Sequence, residues 1–113
     1  MGKKGARKSS VAAVAAAEML EALRPVGTIS SRSMFGGFGL FDSGTMFAIV
    51  DSSGRLFFRV DSNTTERYEN AGSKKHKPMP YFEVPVDVLD DDSQLIEWAS
   101  EAAQVAHAAK TGE

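Results

Sequence analysis

The stretch Arg32-Ser33-Met34-Phe35-Gly36-Gly37-Phe38-Gly39-Leu40-Phe41-Asp42-Ser43-Gly44-Thr45-Met46-Phe47-Ala48-Ile49-Val50 concentrates the aromatics, the glycines and the best strand pattern of the chain. Two apolar runs, Phe38 to Phe41 and Met46 to Val50, flank Asp42-Ser43-Gly44. A short glycine-containing link between such runs predicts a β-hairpin, so this segment reads as the centre of a sheet. Gly36, Gly37 and Gly39 crowd one strand entry, where a uniform strand avoids glycine. They mark a tight turn, a bulge or a close backbone approach. A phosphate-cradling loop would need a helix to follow, with its N-terminus facing the anion, and here a strand follows. Met34, Gly36, Gly37, Gly39 and Gly44 are therefore read as structural.

Working outward, Gly54 turns Met46–Asp51 into Leu56-Phe57-Phe58-Arg59-Val60, a second hairpin. Alternation places Leu56, Phe58 and Val60 on one face and Arg55, Phe57 and Arg59 on the other. In the strand before it, Met46, Ala48 and Val50 should oppose Phe47 and Ile49. Both faces of the sheet centre are then apolar. Helices should cover one, and another element, a second copy of the chain or a partner should close the other. Thr28 to Phe35 supplies a strand before the hairpin. Pro80-Tyr81-Phe82-Glu83-Val84-Pro85, bracketed by prolines, suits a sheet edge.

Ser9 or Ser10 can cap a helix running to about Arg24, with Ala12, Ala16, Met19, Leu20 and Leu23 on one face, ended by Pro25 and Gly27. Asp61 or Asn63 can cap a short helix through Thr64 to Asn70, with Tyr68 inward and Gly72 as its stop. Asp90 to Asp92 precede a final helix, where acids suit the N-terminus. Its apolar stripe is Leu95, Trp98, Ala99, Ala102, Ala106 and Ala109. The predicted order is α-β-β-β-β-α-β-α: an α+β domain, an antiparallel meander with helices gathered on one side. Residues 9–110 form the domain, with a disordered basic tail at 1–8 and a disordered end at 111–113.

Composition agrees with one soluble core. A chain of 113 residues with 42% hydrophobic and 25% charged residues is one domain, which on folding removes about two-thirds of the unfolded chain's surface from water. Val11 to Ala17 faintly imitates a signal sequence after its basic tail, but it is short, alanine-rich and followed by Glu18 and Glu21, so it reads as helix. No apolar run suits a membrane helix. The absence of cysteine excludes disulfides, thiol catalysis and thiolate metal sites, and a cytoplasmic setting is the expectation. Asn63-Thr64-Thr65 matches a glycosylation sequon that has no meaning there. Lys3, Lys4, Arg7 and Lys8 hold four of the 13 basic residues, leaving nine against 15 acids, so the body carries −6. Attraction to nucleic acid would have to come from that tail or from a local patch.

Searching for chemistry returns few candidates. His76 and His107 lie far apart and neither has a partner at metal-ligand spacing. No serine sits in a nucleophile elbow. Asp90-Asp91-Asp92 reads as helix capping before it reads as a Mg²⁺ ligand run. No catalytic residue, metal site or cofactor is assigned. Gly37-Phe38-Gly39-Leu40-Phe41 loosely echoes an RNA-stacking strand, with Phe47, Phe57, Arg55 and Arg59 as further contacts. The leading basic residue of that pattern is missing, however, and a helix opens the domain.

Taken together, Arg32-x-Met34-Phe35-Gly36-Gly37-Phe38-Gly39-Leu40-Phe41, Gly44-Thr45-Met46-Phe47-Ala48, Leu56-x-x-Arg59-Val60-Asp61, Tyr81-x-x-Val84-Pro85, Val88-Leu89 and Trp98-Ala99 resemble the N-terminal domain of the TfoX/Sxy family, from about Leu20 to Ala106. The resemblance implies a fold akin to the secretion-chaperone-like group. It also implies a bacterial regulator of competence for DNA uptake, acting with the cyclic-AMP receptor protein at certain promoters. The fuller family pattern carries a second, C-terminal domain of helix-hairpin-helix character, whereas this chain stops at Glu113, which makes a stand-alone domain the expectation. The family supplies no catalytic residue to carry over.

The resulting expectation is a non-enzymatic regulatory or protein-interaction domain whose partner is transcription machinery or a regulator. Its contact surface is placed at Arg32, Phe35, Phe38, Phe47, Phe57 and Arg59, with Lys74, Lys75 and Lys77 as an anion-facing loop. Direct nucleic-acid binding through tail and sheet is the first alternative, and a small-molecule sensor or enzyme the second. A homodimer is a further way to cover the second sheet face.

Overall fold

Asp42-Ser43-Gly44-Thr45 turns the chain in two residues. Asp42 pairs with Thr45, and both Ser43 (φ 51°) and Gly44 (φ 87°) take the left-handed backbone that matches the twist of the flanking strands. The structure, a computed structural model, describes residues 3–34, 36–77 and 79–111. A helix α1 (Lys3–Ala22) and a single 3-10 turn (Arg24–Val26) lead into β1 (Ile29–Met34), β2 (Gly37–Asp42), β3 (Thr45–Val50) and β4 (Leu56–Arg59). Then follow α2 (Thr65–Asn70), β5 (Tyr81–Glu83), a short α3 (Val86–Leu89) and α4 (Asp92–Thr111). Helix α1 begins at Lys3, ahead of the Ser9 or Ser10 start expected, and Pro25 sits inside the 3-10 turn that ends it.

The five strands lie in chain order in one antiparallel sheet, with β1 and β5 at its edges. This is the α+β meander the sequence predicts. Helices α1 and α4 cover one face, α1 over β2 and α4 over β3 and β4. Ala16, Leu23, Leu95, Trp98, Ala99, Ala102 and Ala106 press onto Leu40, Phe47, Ala48, Val50, Leu56, Phe58 and Val60. The alanines let helix and sheet backbones approach closely, so the bulk of this core comes from the sheet side. Tyr68 enters from α2 and stacks edge-on against Trp98, with ring centroids 4.9 Å apart.

Strict alternation fails in β3. Leu40 pairs with Ala48, but the next residue, Phe41, pairs with Met46, so Phe47 is an extra residue in the ladder. Such a bulge turns two successive side chains toward the same side. Phe47, Ala48 and Val50 therefore all face the helices, and Met46 joins Ile49 on the opposite face. The expected grouping of Met46 with Ala48 and Val50 is corrected by this one residue.

The second face is closed largely by the chain itself. Ile49, Phe57 and Tyr81 form a small cluster, packed against by Met46 and Met79. The segment after α2 runs along the outer edge of β5. Lys75 bridges Phe82, Glu83 N–H donates to the Lys74 carbonyl and His76 N–H donates to the Tyr81 carbonyl. This pairing sets the His76 ring edge-on to Phe57, 5.0 Å away.

Helix ends behave as their residues dictate. At α2, Gly72 N–H donates to the Glu69 carbonyl and Ser73 N–H to that of Tyr68, closing the last turn. At its other end, the Asp61 carboxylate accepts from Asn63 and Thr64 N–H. At α4, Asp91 Oδ1 accepts from Gln94 N–H at 3.1 Å, and that bond holds the Asp91 carboxyl below the usual carboxylate value. Among the described residues, no helix is long and apolar enough to cross a membrane.

Candidate interaction surface

The expected contact residues do not share one environment. Phe47 (0% exposed) belongs to the helix-covered core, and Phe57 (6%) lies in the second cluster beneath His76. Neither ring offers a free face for stacking. Phe38 is half-buried at the margin of the main core. Phe35 lies outside the described residues.

The two arginines do not come together. Arg32 stands exposed on β1 with its guanidinium 4.8 Å from the centroid of Phe41, a cation–π contact that covers that ring. Arg59 sits on β4, beyond β2 and β3, half-buried over Tyr81 at 5.9 Å. Burial pushes the Tyr81 hydroxyl up from its ordinary pKa, and the charge and hydrogen bonding of Arg59 pull it back part of the way. Lys74, Lys75 and Lys77 are exposed, on the segment whose backbone is fastened to β5.

The glycines divide by task. Gly37 is buried where the chain leaving β3 crosses it, so a Cβ there would strike the Val50 carbonyl. Gly39 lies beneath the sulfurs of Met34 and Met46, which occupy the space a side chain would need. Met34 is thereby explained as a filler over a glycine.

The sheet has two unlike edges. The β5 edge is occupied by the Lys74–His76 segment, whereas the outer edge of β1 carries no strand partner among the described residues. Thr28 carbonyl accepts from Ser43 N–H on the inner side. Alternation then turns the N–H groups of Ile29, Ser31 and Ser33 outward. Small side chains at Ser31 and Ser33 leave that row of donors and acceptors accessible.

One polar tie was not visible in the sequence. His107 Nε2 lies 2.9 Å from Asp42 Oδ2, although His107 reads as an isolated residue on an alanine-rich helix and Asp42 as a turn residue. No spacing rule links positions so far apart. Among the described residues, no three His, Asp or Glu side chains gather into a group that could hold a metal ion.

Fold and surface together define a small α+β domain: an open antiparallel sheet with helices over one face, a second face closed largely by the chain itself and one edge without a strand partner among the described residues. Residues 21–106 match the family model of the TfoX N-terminal domain, and the chain belongs to that family. It is 38% identical over 75 residues to the DNA transformation protein TfoX1 of Aliivibrio fischeri. That match covers 66% of this chain and 35% of the relative, so the chain corresponds to only a part of the relative's length.

Proposed function

We propose that this domain is a non-enzymatic, cytoplasmic regulatory module of the DNA-transformation type that works through a protein partner, taking an extended segment of it as an added strand on β1. The observation that carries this reading is the outer edge of β1, which has no strand partner among the described residues and has Arg32 exposed at its middle. Exposed edges are normally blunted by proline, bulges or covering segments, and β5 is covered in this way while β1, among the described residues, is not. Strand addition draws affinity from backbone hydrogen bonds and selectivity from flanking side chains. Arg32 would favour an acidic residue in the added strand. A second copy pairing there would bring two Arg32 charges near each other, which disfavours self-association by this edge.

Ser31→Pro tests the reading, because it removes an outward N–H while sparing the inner ladder. It should abolish capture of the partner from the native cell's lysate, and Arg32→Glu should weaken it, with circular dichroism unchanged in both. Capture by Ser31→Pro equal to wild type would refute strand addition. Loss of capture on nuclease treatment, with affinity falling steeply with salt, would instead assign the contact to nucleic acid.

A further inference from the structure

At the end of the sheet where β3 begins, β4 ends and β5 starts, the last turns of α4 overhang a cleft of about 450 Å³. That volume lies within the range of small-molecule sites, about 300–1,000 Å³. Its walls are Met46, Met79, Ala106 and Ala109, and its polar groups include Arg59 and Lys110. No carboxylate lines it among the described residues.

The charge balance is one-sided. Two full positive charges face the cleft, while the C-terminal end of α4 contributes only about half a negative charge. Arg59 has no ion-pair partner among the described residues, and its Nε is buried without a hydrogen-bond partner. A buried donor left unpaired is costly, and a guanidinium offers Nε–H and one Nη–H as a parallel pair matched to a carboxylate. The thioether walls are soft and adaptable, suited to an aliphatic body of variable shape.

We infer that this cleft binds a small organic carboxylate with an aliphatic body, its carboxylate on Arg59 and Lys110 and its chain along Met46 and Met79. The site is separate from the β1 edge, so it stands or falls independently of the strand-addition reading.

Octanoate is the probe, with octanol lacking the charge and acetate lacking the body. Titrated into the isotopically labelled chain, octanoate should shift the amide resonances of Thr45, Arg59 and Lys110 saturably. Octanol and acetate should each bind at least about tenfold more weakly, the factor expected from losing one charge-assisted bond pair or the apolar contact. Arg59→Gln should weaken octanoate by at least about tenfold and Lys110→Gln by about threefold, an exposed lysine contributing less. Equal binding of octanol and octanoate, shifts located elsewhere, or unchanged affinity in Lys110→Gln would overturn the inference. The lysine variant decides the matter if Arg59→Gln fails to fold, because its side chain supports no packing.

Discussion

His107, near the end of α4, donates its Nε2–H to Asp42 Oδ2 at 2.9 Å and so ties the last helix to the end of β2 across 65 positions of sequence. A carboxylate can only accept, so Nε2 is the donor in this contact. The other Asp42 oxygen accepts from Thr28 N–H at 3.0 Å. One side chain thereby joins α4, β2 and the entry to β1. Asp42→Ala should cost about 1–3 kcal/mol, toward the lower end because the His107 side chain is 39% exposed. Urea unfolding measures it, and a double-mutant cycle with His107→Ala should return a coupling of about 1 kcal/mol. An unchanged unfolding midpoint for Asp42→Ala would show that the tie contributes nothing.

Two glycines of the central hairpin should respond differently to a methyl group. Gly37→Ala drives a Cβ into the Val50 carbonyl, which belongs to backbone and yields poorly. The cost should reach the upper end of about 1–3 kcal/mol, as for overpacking. Gly44→Ala meets nothing within 4 Å but keeps φ 87°, so only backbone strain of about 1–2 kcal/mol applies. Thermal unfolding of the two variants should rank them in that order, and the reverse order would contradict the close crossing at Gly37.

Phe47 and Phe57, two of the four aromatics that the sequence places on a contact surface, should act as core residues. Phe47→Ala should lose about 3–5 kcal/mol, the usual cost of truncating a fully buried phenylalanine. Phe57→Ala should fall at or below the lower end of that range, because its cluster is small and roofed by a single loop. A Phe57→Ala variant as stable as wild type would return that ring to the surface.

The chain has two tyrosines, Tyr68 and Tyr81, each 1% exposed. Burial raises both hydroxyls above their ordinary value of 10.0. The folded state thus holds phenol protons that the unfolded chain releases. This contribution to stability is fully present below pH 10 and is lost as pH rises toward the raised folded values. In an alkaline titration followed by near-ultraviolet absorbance, tyrosinate should appear together with the loss of circular dichroism. A separate ionisation step near pH 10 with the fold intact would be the contrary result.

Much of the fold was legible because its signals are local. Asp42-Ser43-Gly44 flanked by apolar runs specifies the hairpin, Gly54 the next one and Gly72 the end of α2, each within a few residues. Of the helix faces read from spacing, Ala12, Ala16, Leu23, Leu95, Trp98, Ala99, Ala102 and Ala106 are buried, whereas Met19, Leu20 and Ala109 are only partly so. The contact surface was less legible. Arg32 and Arg59 look alike in sequence, yet one lies on the edge strand β1 and the other beside a cleft. That difference depends on which strands lie between them and on what α4 covers.

The sequence by itself determined the element order, the meander and the membership of the TfoX N-terminal domain family, because hairpin chemistry and helical periodicity act over short range. Only the tertiary structure decided on which face Phe47 lies. A bulge shifts an apolar residue between two apolar faces without leaving a trace in the hydrophobic pattern. It also decided that Lys74–His76 closes one sheet edge while β1 has no strand partner among the described residues, and that Asp42 finds His107. The Asp42–His107 contact spans 65 positions, and the closing of the β5 edge requires β5 to be docked in the sheet first, so both depend on how the packed elements meet and not on the local preference of the residues involved.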